Sequence, residues 1–196
     1  MNRFGLAAMM ALAGFSAAPI PALAQTAPER CAAIGPASER LACYDSIFRS
    51  GQFTGGNGQI EGTEVPFATL ESEQLIPALA GGRAPARLTV LCVDGETTLQ
   101  FSFAGSAMGT PTSNSAAITL QYDRQPPRTQ SVDLSPDRLA IGFFETEEAR
   151  AVIGQLQQTQ RLLVRATPQS QRSVTVSFRL EGIETALQPV RLACGW

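Results

Sequence analysis

The stretch RLTVLCVDGETTLQFSF, residues 87–103, decides the fold class of this chain of 196 residues. Large apolar side chains alternate with smaller or polar ones on both sides of Asp94-Gly95, a dipeptide typical of two-residue hairpin turns. A period of two places alternate side chains on opposite faces of a strand. The pattern therefore predicts an antiparallel hairpin with strands at 87–93 and 96–103.

The same alternation predicts more short strands along the rest of the chain. One helix interrupts them, and we expect Thr146 to be its N-cap because Glu147 and Glu148 follow, where the helix dipole favours acids. Local antiparallel strands predict a mainly β (α+β) fold, an antiparallel β-sandwich or small barrel with one or two packed helices. The further strands are predicted at 118–122, 130–134, 138–144, 161–167 and 173–180, and a short helix or turn at 182–190.

A small helical hairpin is predicted at 25–49, ahead of the strands. Cys31 and Cys43 would lie about 18 Å apart in one straight helix, whereas a disulfide needs Cα atoms within about 7 Å. Gly35-Pro36 supplies a break, so we expect helices at 28–34 and 37–48 that are joined by a Cys31–Cys43 bridge. Four cysteines allow three pairings, and the spacing favours Cys31–Cys43 with Cys92–Cys194.

Two segments around the hairpin complete the predicted organisation. Residues 50–64 hold five glycines, which predicts a flexible linker before a strand-rich domain at 65–196, with a short helix at 71–79. Residues 1–24 combine Arg3, an uncharged apolar run and Ala22-Leu23-Ala24, which is typical of a secretory signal peptide. The run is too short to span a bilayer comfortably, so we expect a soluble periplasmic protein without a membrane span after cleavage near Ala24.

The composition excludes several mechanisms, because the chain has no His and no Lys. Ser-His-Asp triads, His-bound zinc, P-loop lysines and Schiff bases are therefore absent. The Arg residues are scattered singly, which argues against nucleic acid as a partner. We expect no catalytic residue, no metal and no cofactor, and the four cysteines are interpreted as disulfides because an exported chain favours them.

Three residues are candidates for contacts with a partner, and each has a structural alternative. Arg165 in a predicted strand could receive a carboxylate bidentately, although an Arg there more often faces solvent or pairs within the fold. Trp196, the single Trp, is either a lid on the core or a binding platform. Tyr44 beside Cys43 either packs the hairpin or contacts a partner.

Acidic residues at Glu145, Glu147 and Glu148 form the densest carboxylate cluster of the chain. Paired carboxylates are the groups that glycoside hydrolases use. The start of a helix favours acids for electrostatic reasons. We therefore prefer a structural role for these residues to the hypothesis of a hydrolase that uses Glu145 or Glu148.

Several motifs together resemble a known family. They are Cys31 followed by Arg40-Leu41-Ala42-Cys43-Tyr44-Asp45, then Leu91-Cys92, Leu163-Val164-Arg165-Ala166-Thr167-Pro168, and the C-terminal block from Phe178 to Trp196. The combination resembles the type VI secretion system-associated proteins called VasI or TagO, over essentially the whole mature chain. The resemblance implies an exported accessory protein without a known catalytic residue set.

The function expected from these observations is non-enzymatic protein–protein binding in the periplasm. The partner would be an envelope or secretion-apparatus protein, reached through the sheet surface or the helical hairpin. An alternative is an inhibitor or ligand-binding module directed at cell-wall hydrolases, because the braced hairpin at 87–103 is similar to small lysozyme-inhibitor barrels. The wall hydrolase that uses Glu145 or Glu148 ranks last. The oligomeric state stays open.

Overall fold

The computed structural model of the protein describes residues 31–48, 53–60 and 62–196. The signal peptide predicted at 1–24 lies outside the described residues, as do residues 28–30 of the first predicted helix. The chain divides into two compact units, of which the first ends at Tyr44 and the second runs from Asp45 to Trp196.

The first unit contains a chain reversal closed by a disulfide. Helix α1 spans Ala37–Phe48, and Cys31 is bonded to Cys43 with 5.4 Å between their Cα atoms. The Arg40 guanidinium donates to the carbonyls of Ile34 (3.0 Å) and Gly35 (3.2 Å), so it satisfies the backbone where the chain turns. The predicted bridge and the break at Gly35-Pro36 are confirmed.

The second unit consists of nine antiparallel strands and three helices among its described residues. The strands are β1 Thr54–Ile60, β2 Thr63–Pro77, β3 Arg83–Val93, β4 Glu96–Phe103, β5 Ser115–Tyr122, β6 Arg128–Leu134, β7 Ala140–Phe143, β8 Arg161–Ala166 and β9 Val174–Arg179. The helices are α2 Thr146–Leu156, α3 Ile183–Ala186 and α4 Gln188–Cys194. The nine strands form one sheet in the order β1-β2-β3-β4-β7-β6-β5-β8-β9. The predicted α+β class is confirmed.

The sheet curls around one apolar core. Alternate residues of each long strand point inward, and the largest buried side chains include Phe101, Phe103 and Phe178 from β4 and β9. The rings of Phe101 and Phe178 lie 6.2 Å apart between centroids, in a tilted arrangement that aromatic pairs favour. Helix α2 packs against β4 and β7 and buries Ala149, Ile153 and Leu156 in the core.

Strand β9, at one end of the sheet, meets β2, the second strand from the other end, through side chains. Strand β9 lies beside the second half of β2, where a bulge between Glu71 and Leu75 interrupts pairing with β3. The Ser177 N–H donates to Gln74 Oε1 (2.6 Å), and Gln74 Nε2 donates back to Ser177 Oγ (2.9 Å). Side-chain bonds thus replace a backbone ladder, and the sandwich is nearly closed into a barrel.

The flexible linker predicted at 50–64 is wrong over most of its length. Residues 54–60 form β1, which pairs with residues 63–69 of β2. A Cβ atom at Gly55 would lie 2.2 Å from the carbonyl oxygen of Ala186, so glycine is needed there for close packing under α3. The glycines predict a linker, but in the structure Gly55 allows β1 to approach α3 closely.

Two smaller predictions are also corrected. The helix predicted at 71–79 is wrong, because residues 71–77 continue β2 and pair with β3 again from Leu75, beyond the bulge. Thr146 is the first residue of α2 and not its N-cap, which is Glu145 without a side-chain cap bond. The Thr146 hydroxyl instead bonds to β4, where it accepts the Thr97 N–H (3.0 Å) and donates to the Glu96 carboxylate.

Candidate functional site

The C-terminus of the chain is fastened to the sheet by a disulfide. Cys194 ends α4 and is bonded to Cys92 of β3, with 5.8 Å between their Cα atoms. Gly195 follows with φ of 69°, a left-handed conformation that favours glycine, and its N–H donates to the Arg191 carbonyl. This turn directs Trp196 back towards β4. The Cys92–Cys194 pairing predicted from the spacing is confirmed.

Trp196 is held by partners from its own chain. Its indole N–H donates to Oγ1 of the buried Thr97 (2.8 Å), and the ring packs half-buried against the core. The guanidinium carbons of Arg150 and Arg191 lie 5.5 Å and 5.1 Å from the ring centroid, within the range of a cation–π contact. This arrangement is typical of a lid on the core, the first of the two roles considered for Trp196.

Arg165 lies exposed on the outer face of β8. The sheet register places it beside Thr119 of β5 and Thr175 of β9. The Thr119 hydroxyl also bonds to the Thr129 hydroxyl (2.8 Å) on the next strand. In the described part of the chain Arg165 forms no ion pair, so its guanidinium faces solvent with its hydrogen-bonding capacity free.

Three depressions follow one another along the outer face of β5 and β8. The middle one, of about 210 Å³, is lined by Arg165, Thr119 and Thr175. At one end a depression of about 700 Å³ lies between residues 109–117 and 167–171. At the other end one of about 830 Å³ is bounded by residues 123–125 and 160–163. We call this row of depressions the β5–β8 groove.

Strand β1 forms an end of the sheet, with β2 as its neighbour on one side. Its residues, TGGNGQI, include no charged residue and no proline, and most of them are exposed. Gly56 and Gly58 lie against the ring of Phe67 on one face. Natural proteins usually protect such edges with charges, prolines or covering elements. Helices α3 and α4 contact β1, with Ala186 against Gly55, whereas Asn57, Gln59 and Ile60 stay exposed. This exposed part of the edge has neither charge nor proline and is available for pairing.

The other candidates from the sequence do not line the β5–β8 groove. Tyr44 is half-buried on α1, in the first unit. Glu145, Glu147 and Glu148 lie exposed at the start of α2, where Glu147 faces Arg150 at 4.0 Å. This location matches the electrostatic role expected at a helix start.

Two features of the surface were missed by sequence reasoning. The β5–β8 groove depends on a sheet order in which β5 neighbours β8, forty residues later, and local patterns do not encode that order. The β1 edge was concealed by its glycines.

The described residues hold neither a metal-binding cluster nor a helix that could span a membrane. Residues 31–48, 53–60 and 62–196 contain no cluster of three or more carboxylate and cysteine side chains that could hold a metal ion. In the same ranges no helix is long and apolar enough to cross a bilayer.

Comparisons with known proteins identify no family. No family model matches the chain, and no curated protein matches it. Among solved structures, the crystal structure of invasion associated protein B from Bartonella henselae is similar over 73% of this chain and 93% of that chain. The TM-score is 0.45 and the identity is 13%. A likeness of this size does not assign the chain to a family.

Proposed function

We propose that the protein is an exported, non-enzymatic accessory protein of the bacterial envelope that binds a partner protein by strand addition to β1. The observation that carries the proposal is the β1 edge, which has neither charge nor proline to oppose pairing. In strand addition the partner's backbone bonds to the edge, and pockets for alternate side chains give specificity.

The two disulfides support the location in the periplasm. Cys31–Cys43 and Cys92–Cys194 use all four cysteines, and such bridges persist in oxidising compartments. The predicted signal peptide at 1–24 agrees with this location.

The resemblance to the VasI/TagO proteins supports a type VI secretion apparatus as the context. In that context the partner that adds a strand to β1 is an envelope component of the apparatus. Deleting the gene is then expected to lower export of the tube protein into the medium. Normal export by the deletion strain would remove the secretion context and leave strand addition untouched.

Photocrosslinking in cells tests the β1 interface directly. A photoreactive residue at the exposed Asn57 of β1 is expected to crosslink one envelope protein, and peptide mapping should find an extended segment of it beside β1. The matched control is the same residue at Asp94, an exposed turn position between β3 and β4. Equal crosslinking at the two positions would contradict the proposal.

Positive charges introduced on the β1 edge provide a second test of strand addition. Asn57→Lys with Gln59→Lys places two cations on β1, and edge lysines oppose pairing with another strand. Both residues are exposed, so the fold is expected to persist, as circular dichroism can check. Crosslinking from an unchanged neighbouring position on β1 should disappear. If it stays at the original level, the partner does not use this edge.

A hydrolase inhibitor is the second candidate, on the basis of the β3–β4 hairpin. Cys92 of that hairpin is bonded to Cys194, so the hairpin is braced as a rigid inhibitory element would need to be. Lysozyme activity measured with excess purified protein decides this alternative. An unchanged rate would remove it for that class of hydrolase.

A further inference from the structure

The β5–β8 groove has the length and the lining of a site for an extended polar ligand. It runs from Ser115 to Asp123 along β5, which corresponds to about 27 Å at about 3.4 Å per residue. The middle depression is lined by residues of both β5 and β8, one end depression continues it along β5, and the other continues it along β8 with Leu163 as a common lining residue. A chain-like ligand could therefore contact all three at once.

Hydroxyl and amide side chains are the most frequent polar residues in the lining. Thr119, Gln121 and Thr175 surround the middle depression. The end depressions add further groups of the same chemistry, namely Ser113, Thr167, Gln169, Gln125 and Gln160. Such side chains donate and accept hydrogen bonds, so they match a ligand that presents many hydroxyl groups.

Positive charge is in excess along the groove. Arg124, Arg161 and Arg165 line it, and Asp123 is the single acid among the lining residues described. The Asp123 carboxylate accepts the N–H groups of Gln160 and Arg161, and Arg161 pairs with Glu73 at 3.4 Å. Within the described residues Arg124 and Arg165 have no ion-pair partner, so two guanidinium forks remain for carboxylates.

The floor of the groove offers no backbone for strand addition. Strand β5 pairs with β6 and β8, and β8 pairs with β5 and β9. A peptide therefore could not extend the sheet here, and recognition would depend on side chains alone. Pro127 and Leu163 supply the small apolar surfaces against which the face of a sugar ring can pack.

We propose that the β5–β8 groove binds an acidic glycan, a polysaccharide strand that carries carboxylate groups. The guanidinium groups of Arg165 and Arg124 receive the carboxylates, and the hydroxyl and amide side chains bind the sugar hydroxyls. The site is separate from the β1 edge, so it holds or fails independently of the protein-binding function proposed above.

Titration calorimetry of the full mature chain with alginate oligosaccharides tests the site. Binding is expected, and the same oligosaccharides with their carboxyl groups reduced to hydroxymethyl groups should bind at least tenfold more weakly. Arg165→Gln and, separately, Arg124→Gln should each weaken alginate binding about tenfold, because each removes a charge-assisted hydrogen bond. The control is Arg87→Gln, an exposed strand arginine outside the groove that pairs with Glu71.

Three results would overturn the proposal. One is equal affinity for native and carboxyl-reduced oligosaccharides, since charge would then play no part. Another is unchanged affinity in both groove variants, or an equal loss in Arg87→Gln, because binding would then lie elsewhere. The last is tighter binding of polyglutamate than of alginate, which would assign the groove to an acidic peptide.

Discussion

At the scale of single residues, Ser72 compensates for the bulge in β2. The bulge interrupts the ladder with β3, and the buried Ala86 N–H donates to Ser72 Oγ (2.9 Å) in place of a β2 carbonyl. The same hydroxyl donates to the Gln74 carbonyl (2.7 Å). One buried side chain thus satisfies two backbone groups that the irregular strand would leave unpaired.

Replacement of this hydroxyl should be costly. Ser72→Ala is expected to lower the free energy of unfolding by about 1–3 kcal/mol, because it leaves a buried N–H unsatisfied. Urea denaturation measures the change, with Ser131→Ala on the exposed surface of β6 as the matched control. If the two variants are equally stable, the Ser72 hydroxyl has no such role.

Two glycines with opposite environments give a second residue-scale prediction. A Cβ atom at Gly142 of β7 would lie 2.1 Å from the Leu99 carbonyl oxygen, whereas one at Gly154 of α2 would meet nothing within 4 Å. Gly142→Ala should therefore destabilise the fold strongly. Gly154→Ala should stabilise it by about 0.5–1 kcal/mol, because glycine is a poor helix former. Thermal unfolding of both variants shows whether their effects have opposite signs.

At the scale of elements, the contact between β2 and β9 depends on Glu73. Its carboxylate accepts the Ser177 hydroxyl (2.6 Å) and pairs with Arg179 at 2.7 Å. The Ser177 hydroxyl is the main cause that lowers the pKa of Glu73, and Arg179 and Arg161 add to it against the effect of burial. The folded state therefore favours the charged form of this carboxyl.

A pH dependence follows from this lowered pKa. A carboxyl whose pKa is lower in the folded state stabilises the fold fully above the ordinary pKa of 4.5, and the stabilisation is lost as the pH falls through the folded value. Glu73→Gln should therefore be less stable than the unsubstituted protein at neutral pH, and the difference should shrink below pH 4.5. Urea denaturation at several pH values measures it.

The comparison of Glu73→Gln with the unsubstituted protein separates the contribution of Glu73 to stability from the contributions of other acids. The pKa of Asp137 is also lowered, because the Ser135 hydroxyl and the Leu139 N–H donate to its carboxylate. Asp137 is present in both proteins, so its contribution cancels in the difference. A difference in stability that stays constant from neutral to acidic pH would show that Glu73 does not contribute through its charge.

At the scale of the whole molecule, the Cys92–Cys194 bridge closes a loop that contains most of the sheet. The bonded residues are 102 positions apart, whereas Cys31 and Cys43 are 12 apart and enclose no strand. A longer closed loop restricts the unfolded chain more and stabilises the folded state more. The long bridge also fixes α4 and Trp196 over the β4 end of the core.

Removal of the long bridge should affect the whole sheet. Cys92→Ser with Cys194→Ser is expected to lower the free energy of unfolding by about 2–5 kcal/mol. The fluorescence of Trp196, the single Trp, reports the transition. Cys31→Ser with Cys43→Ser is the control, because its loop contains no strand and the Trp196 transition should stay in place. Equal shifts in the two double variants would contradict this assignment.

The sequence by itself determined the local elements and the cross-links. The alternation around Asp94-Gly95 predicts β3 and β4 to within a few residues, because side-chain period and turn chemistry are local properties. The disulfide pairs follow from spacing and from the reach of a cysteine side chain. Arg165 could be recognised as a strand arginine, although its neighbours could not.

The tertiary structure alone decided which strands are neighbours, and with them both proposed binding surfaces. The glycines of β1 by themselves predict a linker. Only the folded structure shows that Gly55 packs against helix α3, where a side chain would not fit. The β5–β8 groove exists because β5 pairs with β8 across a long interval of chain, while β8 pairs with the next strand, β9, and the two pairings bring Thr119, Arg165 and Thr175 into one row. Such pairings depend on how all apolar faces are buried together, a global balance that no local pattern contains.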